Sequence, residues 1–444
     1  MTMSSADPAP VCQGWLSKTG RTWSREVRRF YWIDAQSARL LYSKAEVGPE
    51  VTCGRSPPPH GLTVKEINLA QSFVSCDKSA ATKISIESLG KTHVLQSASA
   101  SDQQRWFKHL RAACLGASIA NVYNISKDLG SGAFSVVKLA EDKNSKEMVA
   151  IKCVDRKKLT ADDLAMLRRE VQILSSIEHP NVIKFKEYTE NPSHCYLVME
   201  PLMGGELFDR IISMPEGHFS EKVAASFFKP LMSALAHLHS MHIAHLDLKP
   251  ENFLLLSHAP DSAIKIADFG FADYQKPGQV LREVCGSPGY IAPEIISDRA
   301  SAEGYTLAAD MWSMGVILYI LLTGFPPFSA ENDEDSFDLT KKGNYDREPM
   351  ESLTPSAQNL ITRMLVLDPS QRMTASEVLR HPWIAGEASS VALTQTQSNL
   401  KKLLARKQWK KAIHGVKFTA KLSAMMKNAK KASVSSSGDE APAE

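Results

Sequence analysis

Cysteine is scarce and scattered: 444 residues hold seven, and no two form a Cys-x-x-Cys pair. That spacing argues against a zinc site and a disulfide framework and suits a reducing cytosol. Long apolar runs are also lacking. The longest, Met314 to Leu322, falls far short of the roughly 20 residues that span a bilayer and is expected to be a buried helix. Met1 to Pro10 has neither a basic start nor an apolar stretch, so no signal peptide is expected and the protein should be soluble and cytoplasmic. The net charge of +3 is unremarkable, no nucleic-acid partner is expected, and the average hides a basic cluster near the end. The length suggests two domains and a tail.

What is present centres on His245-Leu246-Asp247-Leu248-Lys249-Pro250-Glu251-Asn252, followed by Asp268-Phe269-Gly270. Two carboxylates and an amide separated by a short apolar run suit one task, which is holding two magnesium ions and a phosphate acceptor close together. That task is phosphoryl transfer. Asn252 to Leu256 and Ala263 to Ala267 have the composition of short buried strands that pin these loops. Upstream, Gly130-Ser131-Gly132-Ala133-Phe134-Ser135-Val136-Val137 precedes Val149-Ala150-Ile151-Lys152 at strand spacing, and Glu170 sits on an expected helix.

These motifs, in this order, resemble the protein-kinase signature over Tyr123 to Ile384. The resemblance implies a bilobal kinase fold, with an N-lobe over 123–200 and a C-lobe over 201–384, and ATP and Mg2+ as the ligands. It implies that Asp247 orients the substrate hydroxyl and accepts its proton, that Lys249 steadies the γ-phosphate, and that Asn252 and Asp268 ligate Mg2+. Lys152, paired with Glu170, would meet the α and β phosphates. Leu129, Gly130, Ser131, Gly132, Ala133, Phe134, Ser135, Val137, Ala150 and Leu254 would surround the nucleotide. Met199 would guard the back of the pocket, and the backbone of Glu200 and Leu202 would meet the adenine edge. Glu294 would pair with Arg372, and Asp310 would tie down the catalytic-loop backbone. Gly204-Gly205-Glu206-Leu207-Phe208 resembles the calcium/calmodulin-dependent group, in which this glutamate faces the ribose and a basic residue of the protein substrate. Leu246 stands where many kinases carry a phosphate-binding arginine, and Glu283 stands where many carry a phosphoacceptor threonine, so calmodulin alone is expected to suffice for activation. The rival reading is a pseudokinase scaffold that binds nucleotide without transfer; Lys152, Asp247, Asn252 and Asp268 give it little support.

Residues 11–117 alternate in the manner of strands at Gly14 to Lys18, Arg28 to Ile33, Arg39 to Tyr42, Phe73 to Cys76, Lys83 to Glu87 and Thr92 to Leu95. A helix with Ser101 as N-cap and Gln104 completing a capping box is expected to follow. Its Trp106, Phe107, Leu110 and Cys114 would close the sheet. About seven strands and a Trp-bearing helix resemble a pleckstrin-homology domain of β-barrel or sandwich type. The resemblance implies peripheral contact with anionic membrane through Lys18, Arg28 and Arg29. Val27 replaces one member of the expected basic pair, so weak binding dominated by charge is expected, with Arg21 and Arg25 adding to it.

The tail completes a multidomain α+β chain. Lys401 to Lys431 holds eleven lysines and arginines and no acid, which with interleaved apolar residues suits a calmodulin target. Ile413, Phe418 and Leu422 lie four, nine and thirteen residues after Trp409, placing two apolar faces nearly opposite each other. A two-lobed clamp such as calcium-loaded calmodulin needs such a pair. Leu400-Lys401-Lys402-Leu403 and Ala405-Arg406-Lys407 resemble the regulatory segment of calmodulin-dependent kinases, which implies that residues 389–431 autoinhibit and bind calmodulin, with Thr396 at the position where relatives autophosphorylate. Residues 1–10 and 432–444 are expected to be disordered.

Overall fold

The computed structural model describes residues 12–19, 26–34, 38–46, 62–69, 72–76, 82–88, 91–132, 135–297, 303–330 and 332–414. Two compact units emerge, one of Met1–Leu164 with Phe185–Pro201 and one of Ala165–Lys184 with Leu202–Glu444.

The first unit opens with β1 (Gln13–Thr19), β2 (Glu26–Asp34), β3 (Arg39–Ser43), β4 (Lys65–Asn68), β5 (Ser72–Cys76), β6 (Lys83–Ser88) and β7 (Lys91–Gln96). They form one antiparallel sheet in the order β4-β3-β2-β1-β7-β6-β5. Alternation drives the burial: β6 covers Ile84 and Ile86 while Lys83 and Glu87 face out. The sequence reading named no strand at β4, because Lys-Glu-Ile-Asn carries a single apolar residue; Ile67 is buried, and the charged neighbours suit a sheet edge. Helix α1 (Ala100–Ala117) closes this sheet with Trp106, Leu110 and Cys114, all fully buried at four-residue spacing. Its N-cap is Ser99, not Ser101: the Ser99 hydroxyl accepts from Asp102 N at 3.1 Å, and Ser101 lies inside the first turn.

After a single 3-10 turn at Ile119–Asn121 come β8 (Tyr123–Ser131), β9 (Ser135–Asp142), β10 (Met148–Asp155), β11 (Phe185–Glu190) and β12 (His194–Met199). Their sheet is ordered β11-β12-β10-β9-β8. Register decides which residues share a face. Val149 pairs with Ala140 and Ile151 with Val198, and these residues join Tyr196, Trp106 and Leu110 in one continuous apolar cluster. Lys152 pairs with Val137 and Leu197, and Ala150 with Met199, so these residues occupy the opposite face.

The second unit contains most of α2 (Ala161–Ser176), then α3 (Leu207–Ser213), α4 (Glu221–Ser240), α5 (Ala308–Thr323) and α6 (Thr394–His414). Two short antiparallel ladders pair β13 (Ile243–Ala244) with β16 (Asp273–Tyr274) and β14 (Phe253–Leu255) with β15 (Ile264–Ile266). Helix α5 is apolar all round and buried from Ala309 to Thr323, the condition of a central core helix. It stops at Gly324, which is left-handed with φ 80°. No helix among the described residues is long and apolar enough to cross a membrane.

The start of α6 is locked onto this core. Thr396 Oγ1 donates to Leu322 O at 2.8 Å, Gln397 Nε2 to Ile211 O at 3.0 Å and Met214 O at 2.7 Å, and Asn399 Nδ2 to Thr323 O at 3.2 Å. Leu400 is fully buried, and a side chain at Gly324 would collide with Asn399.

Candidate active site

In the second unit the loop between β13 and β14 carries the chemistry-bearing residues, and one carboxylate fixes its backbone. Asp310, at the buried start of α5, accepts from His245 N at 2.9 Å and from Leu246 N at 2.8 Å, with His239 Nε2 at 3.0 Å. Burial alone would push its carboxyl up, but the hydrogen bond and charge of His239, together with His245, outweigh this and hold it below the usual carboxylate range. The constraint matters because Leu246 is left-handed at φ 64°, a conformation that costs a side-chain-bearing residue about 1–2 kcal/mol.

Beyond that kink, Asp247 is only 3% exposed. Its Oδ1 accepts from Ser287 Oγ at 2.6 Å and its Oδ2 from Lys249 Nζ at 2.5 Å, while Lys249 also reaches Ser287 Oγ at 2.9 Å. Asn252 Nδ2 donates to Asp247 O at 2.8 Å, and Ala267 N donates to Asn252 O at 2.9 Å. The amide nitrogen of Asn252 is thus committed to backbone, and its oxygen is the atom left for a ligand. Asp268 follows at φ 59°, and Phe269 packs on His245 with ring centroids 4.8 Å apart. A carboxylate oxygen and a carboxamide oxygen are hard donors of the kind Mg2+ takes alongside phosphate oxygens. The described residues hold no group of three His, Cys, Asp or Glu able to bind a metal by themselves.

Nearby, Met203 N donates to Leu256 O at 3.0 Å, Gly204 N to Leu255 O at 2.8 Å, and Leu255 N to Gly205 O at 2.9 Å. A side chain at Gly204 would strike Ser257 O, so the close approach requires glycine there. This pairing places Glu206 opposite Leu254. Arg372 and Glu294 meet in a fork at 2.7 and 3.0 Å. Glu170 is buried on α2 in the same unit. In the first unit, β8 carries Leu129, Gly130 and Ser131, and β9 carries Ser135 and Val137. Ala150 and Lys152 lie on β10, Met199 ends β12, and Glu200 follows it. Ala133 and Phe134 lie outside the described residues, as do Phe418 and Leu422, and the side chains of Trp409 and Ile413 are outside as well.

The N-terminal sheet has a second cluster, a basic pocket of ≈ 570 Å³ lined by Lys18, Arg29, Lys44, Lys65, Lys91 and His93 among others. Arg28 is not part of it. Alternation on β2 turns Arg28 to the other face, where its guanidinium lies 5.4 Å from the Trp15 ring, while Val27 and Arg29 line the pocket. Lys44, Lys65 and Lys91 were missed because no short motif marks them. Arg21 and Arg25 are outside the described residues.

A protein kinase domain family model matches residues 123–384. The chain is 40% identical over 304 residues to calcium/calmodulin-dependent protein kinase type 1B of Rattus norvegicus, covering 68% of this chain and 86% of that protein. It is 42% identical over 296 residues to calcium-dependent protein kinase 17 of Arabidopsis thaliana, covering 65% and 55%. Over 274 residues it is 40% identical to myosin light chain kinase A of Dictyostelium discoideum, covering 61% and 91%.

Asp310→Asn keeps the volume but turns an amide NH2 toward a backbone N–H. The variant should lose about 1.5–3 kcal/mol of stability in denaturant unfolding and at least tenfold in peptide phosphorylation under conditions where it remains folded.

Proposed function

The chain belongs to the protein kinase family and is a serine/threonine kinase using ATP with Mg2+; on that premise we propose how its residues divide the work. The observation that carries the reading is the Asp247, Lys249 and Ser287 cluster on a loop pinned by Asp310. Asp247 orients the protein hydroxyl and takes its proton as the oxygen attacks the γ-phosphate. Lys249, already beside Asp247, steadies the charge that develops on the transferred group. Asn252, through the oxygen left by its committed nitrogen, and Asp268 would hold Mg2+, which would supply positive charge against the phosphates. In the first unit Lys152 meets the α and β phosphates. Glu206 takes a basic residue of the substrate. Replacing Asp268 with Asn should abolish transfer to a basic peptide while leaving the melting temperature within a few degrees; full activity in this variant would refute the metal-ligand role.

Regulation follows the tail. We infer that residues 389–431 inhibit the kinase and that calcium/calmodulin, engaging Trp409, Ile413, Phe418 and Leu422, relieves it. Support comes from the basic, acid-free composition and from relatives named for calcium and calmodulin. Thr396 is 7% exposed, with its hydroxyl spent on Leu322 O. Phosphorylation there thus requires prior release of α6, and Leu393 does not supply the upstream arginine. Truncation after Glu387 should give activity independent of calcium, whereas full-length protein needs calmodulin and gains little lasting activity from autophosphorylation. Full-length protein equally active with and without calmodulin would defeat this reading.

We propose that the N-terminal module is of pleckstrin-homology type and that its basic pocket takes phosphate-bearing lipid headgroups. Lys18, Arg29, Lys65 and Lys91 converge there, so charge lost at Val27 is replaced from β4 and β7. Lys65→Glu with Lys91→Glu should cut pelleting with anionic vesicles at least tenfold, while Arg28→Ala changes it less than threefold. Equal binding by the Lys65 and Lys91 variant and wild type would remove the pocket from consideration.

A further inference from the structure

Within the first unit, α1 reaches from the N-terminal module into the kinase's own sheet. Its Arg111 side chain, mostly buried, donates to Asp142 Oδ2 at 2.5 Å, to Glu187 Oε1 at 3.0 Å and to the Tyr123 hydroxyl at 2.8 Å. The Tyr123 hydroxyl in turn donates to Glu187 Oε1, and the Arg111 guanidinium lies 5.2 Å from the Tyr123 ring. These partners are two strand ends and one residue within an edge strand. Tyr123 begins β8, Asp142 ends β9, and Glu187 lies on β11 at the far edge of the sheet. Burial works against the guanidinium's charge, but Glu187, Tyr123 and Asp142 outweigh it and hold Arg111 firmly protonated.

The surroundings leave no slack. Lys143 Nζ donates to Ala120 O at 2.6 Å, Lys143 N to Val122 O at 3.0 Å and Asn121 Nδ2 to Cys114 O at 3.1 Å. Val149, Ile151, Tyr196 and Val198 share one apolar cluster with Trp106, Leu110 and Leu115. The same strands show Val137, Ala150, Lys152 and Met199 on their other face. One side of the sheet is therefore finished by α1, and the other carries the nucleotide candidates.

We propose that Arg111 is a positioning residue for ATP, by which the N-terminal module sets the geometry of the kinase's nucleotide-binding strands. By neutralising Asp142 and Glu187 it holds the β8–β9 hairpin, which bears Gly130 and Gly132, in register with β11 and β12. The proposal rests on the reading that this hairpin and Lys152 meet the nucleotide.

Removing the cation leaves two carboxylates facing each other, so repulsion and not lost packing is the specific signature. The test uses the full chain with calcium/calmodulin, reading KM for ATP and kcat for Arg111→Met, Arg111→Lys and the double variant Arg111→Met with Glu187→Gln. Arg111→Met should raise KM for ATP at least fivefold with a smaller change in kcat. The double variant should recover at least half of that rise on a logarithmic scale, and Arg111→Lys should fall between Met and wild type. An unchanged KM for ATP in Arg111→Met overturns the proposal. So does a defect that Glu187→Gln fails to relieve, since that marks packing alone. Should Arg111→Met not fold, the comparison passes to Arg111→Lys against Arg111→Lys with Glu187→Gln, with the same two outcomes. Lys152→Ala is run alongside. Unimpaired kinetics in Lys152→Ala refute the nucleotide reading itself, whereas a dead Lys152→Ala beside a normal Arg111→Met refutes only the role given to Arg111.

Discussion

A buried carboxylate bonded to two consecutive backbone amides is the constraint on which the second unit's chemistry depends. The left-handed turn at Leu246 is unfavourable by itself, and nothing in a leucine side chain favours it. Asp310 supplies what the residue cannot, through charge-assisted bonds to His245 N and Leu246 N from the first turn of the most buried helix in the unit. Local backbone strain at the site is thus balanced by a contact more than sixty residues away in sequence. The direction of Asp247 follows from that turn, and Lys249, Ser287 and Asn252 then fix the carboxylate and the loop behind it.

The same logic explains why the motifs could be read without coordinates. In the proposed roles, chemistry restricts residue identity at Asp247, Lys249, Asn252 and Asp268, because a proton acceptor, a cation and two oxygen ligands admit few substitutes. The apolar stretches after Asn252 and before Asp268 were legible for a different reason. Short runs such as Phe-Leu-Leu and Ile-Lys-Ile have only one economical use between functional loops, which is a pair of buried strands, and β14 and β15 take that form. Arg372 and Glu294, far apart in the chain, were reachable through the order of the surrounding motifs.

What stayed hidden depended on register or on distant pairing. Arg28 and Arg29 are adjacent in sequence and differ only in which face of β2 they occupy, so composition cannot separate the residue lining the basic pocket from its neighbour stacked on Trp15. Lys65 went unseen because its strand is short and polar. Ser101 and Ser99 are two plausible caps two residues apart, and only the hydrogen bond from Asp102 N selects Ser99. The buried state of Thr396 depends on Gly324 ending α5 with no side chain in the way, a complementarity no single segment displays.

Arg111 is the extreme case, since its carboxylate partners lie 31 and 76 residues away. Energetics argue against reading such a cluster as simple glue. Taking a guanidinium and two carboxylates out of water costs several kcal/mol per ion, and an apolar replacement of similar volume is often as stable or more so. What an apolar replacement cannot supply is direction. A guanidinium whose Nη2 must reach Asp142, Glu187 and Tyr123 together restricts how β8, β9 and β11 are placed, whereas the apolar contacts of Val149, Ile151 and Val198 tolerate sliding. Burial against α1 thus accounts for cohesion of the first unit, and the charged cluster accounts for its register. Register is the property on which the opposite face depends, because one residue of slip would carry Lys152 to the side covered by the N-terminal module.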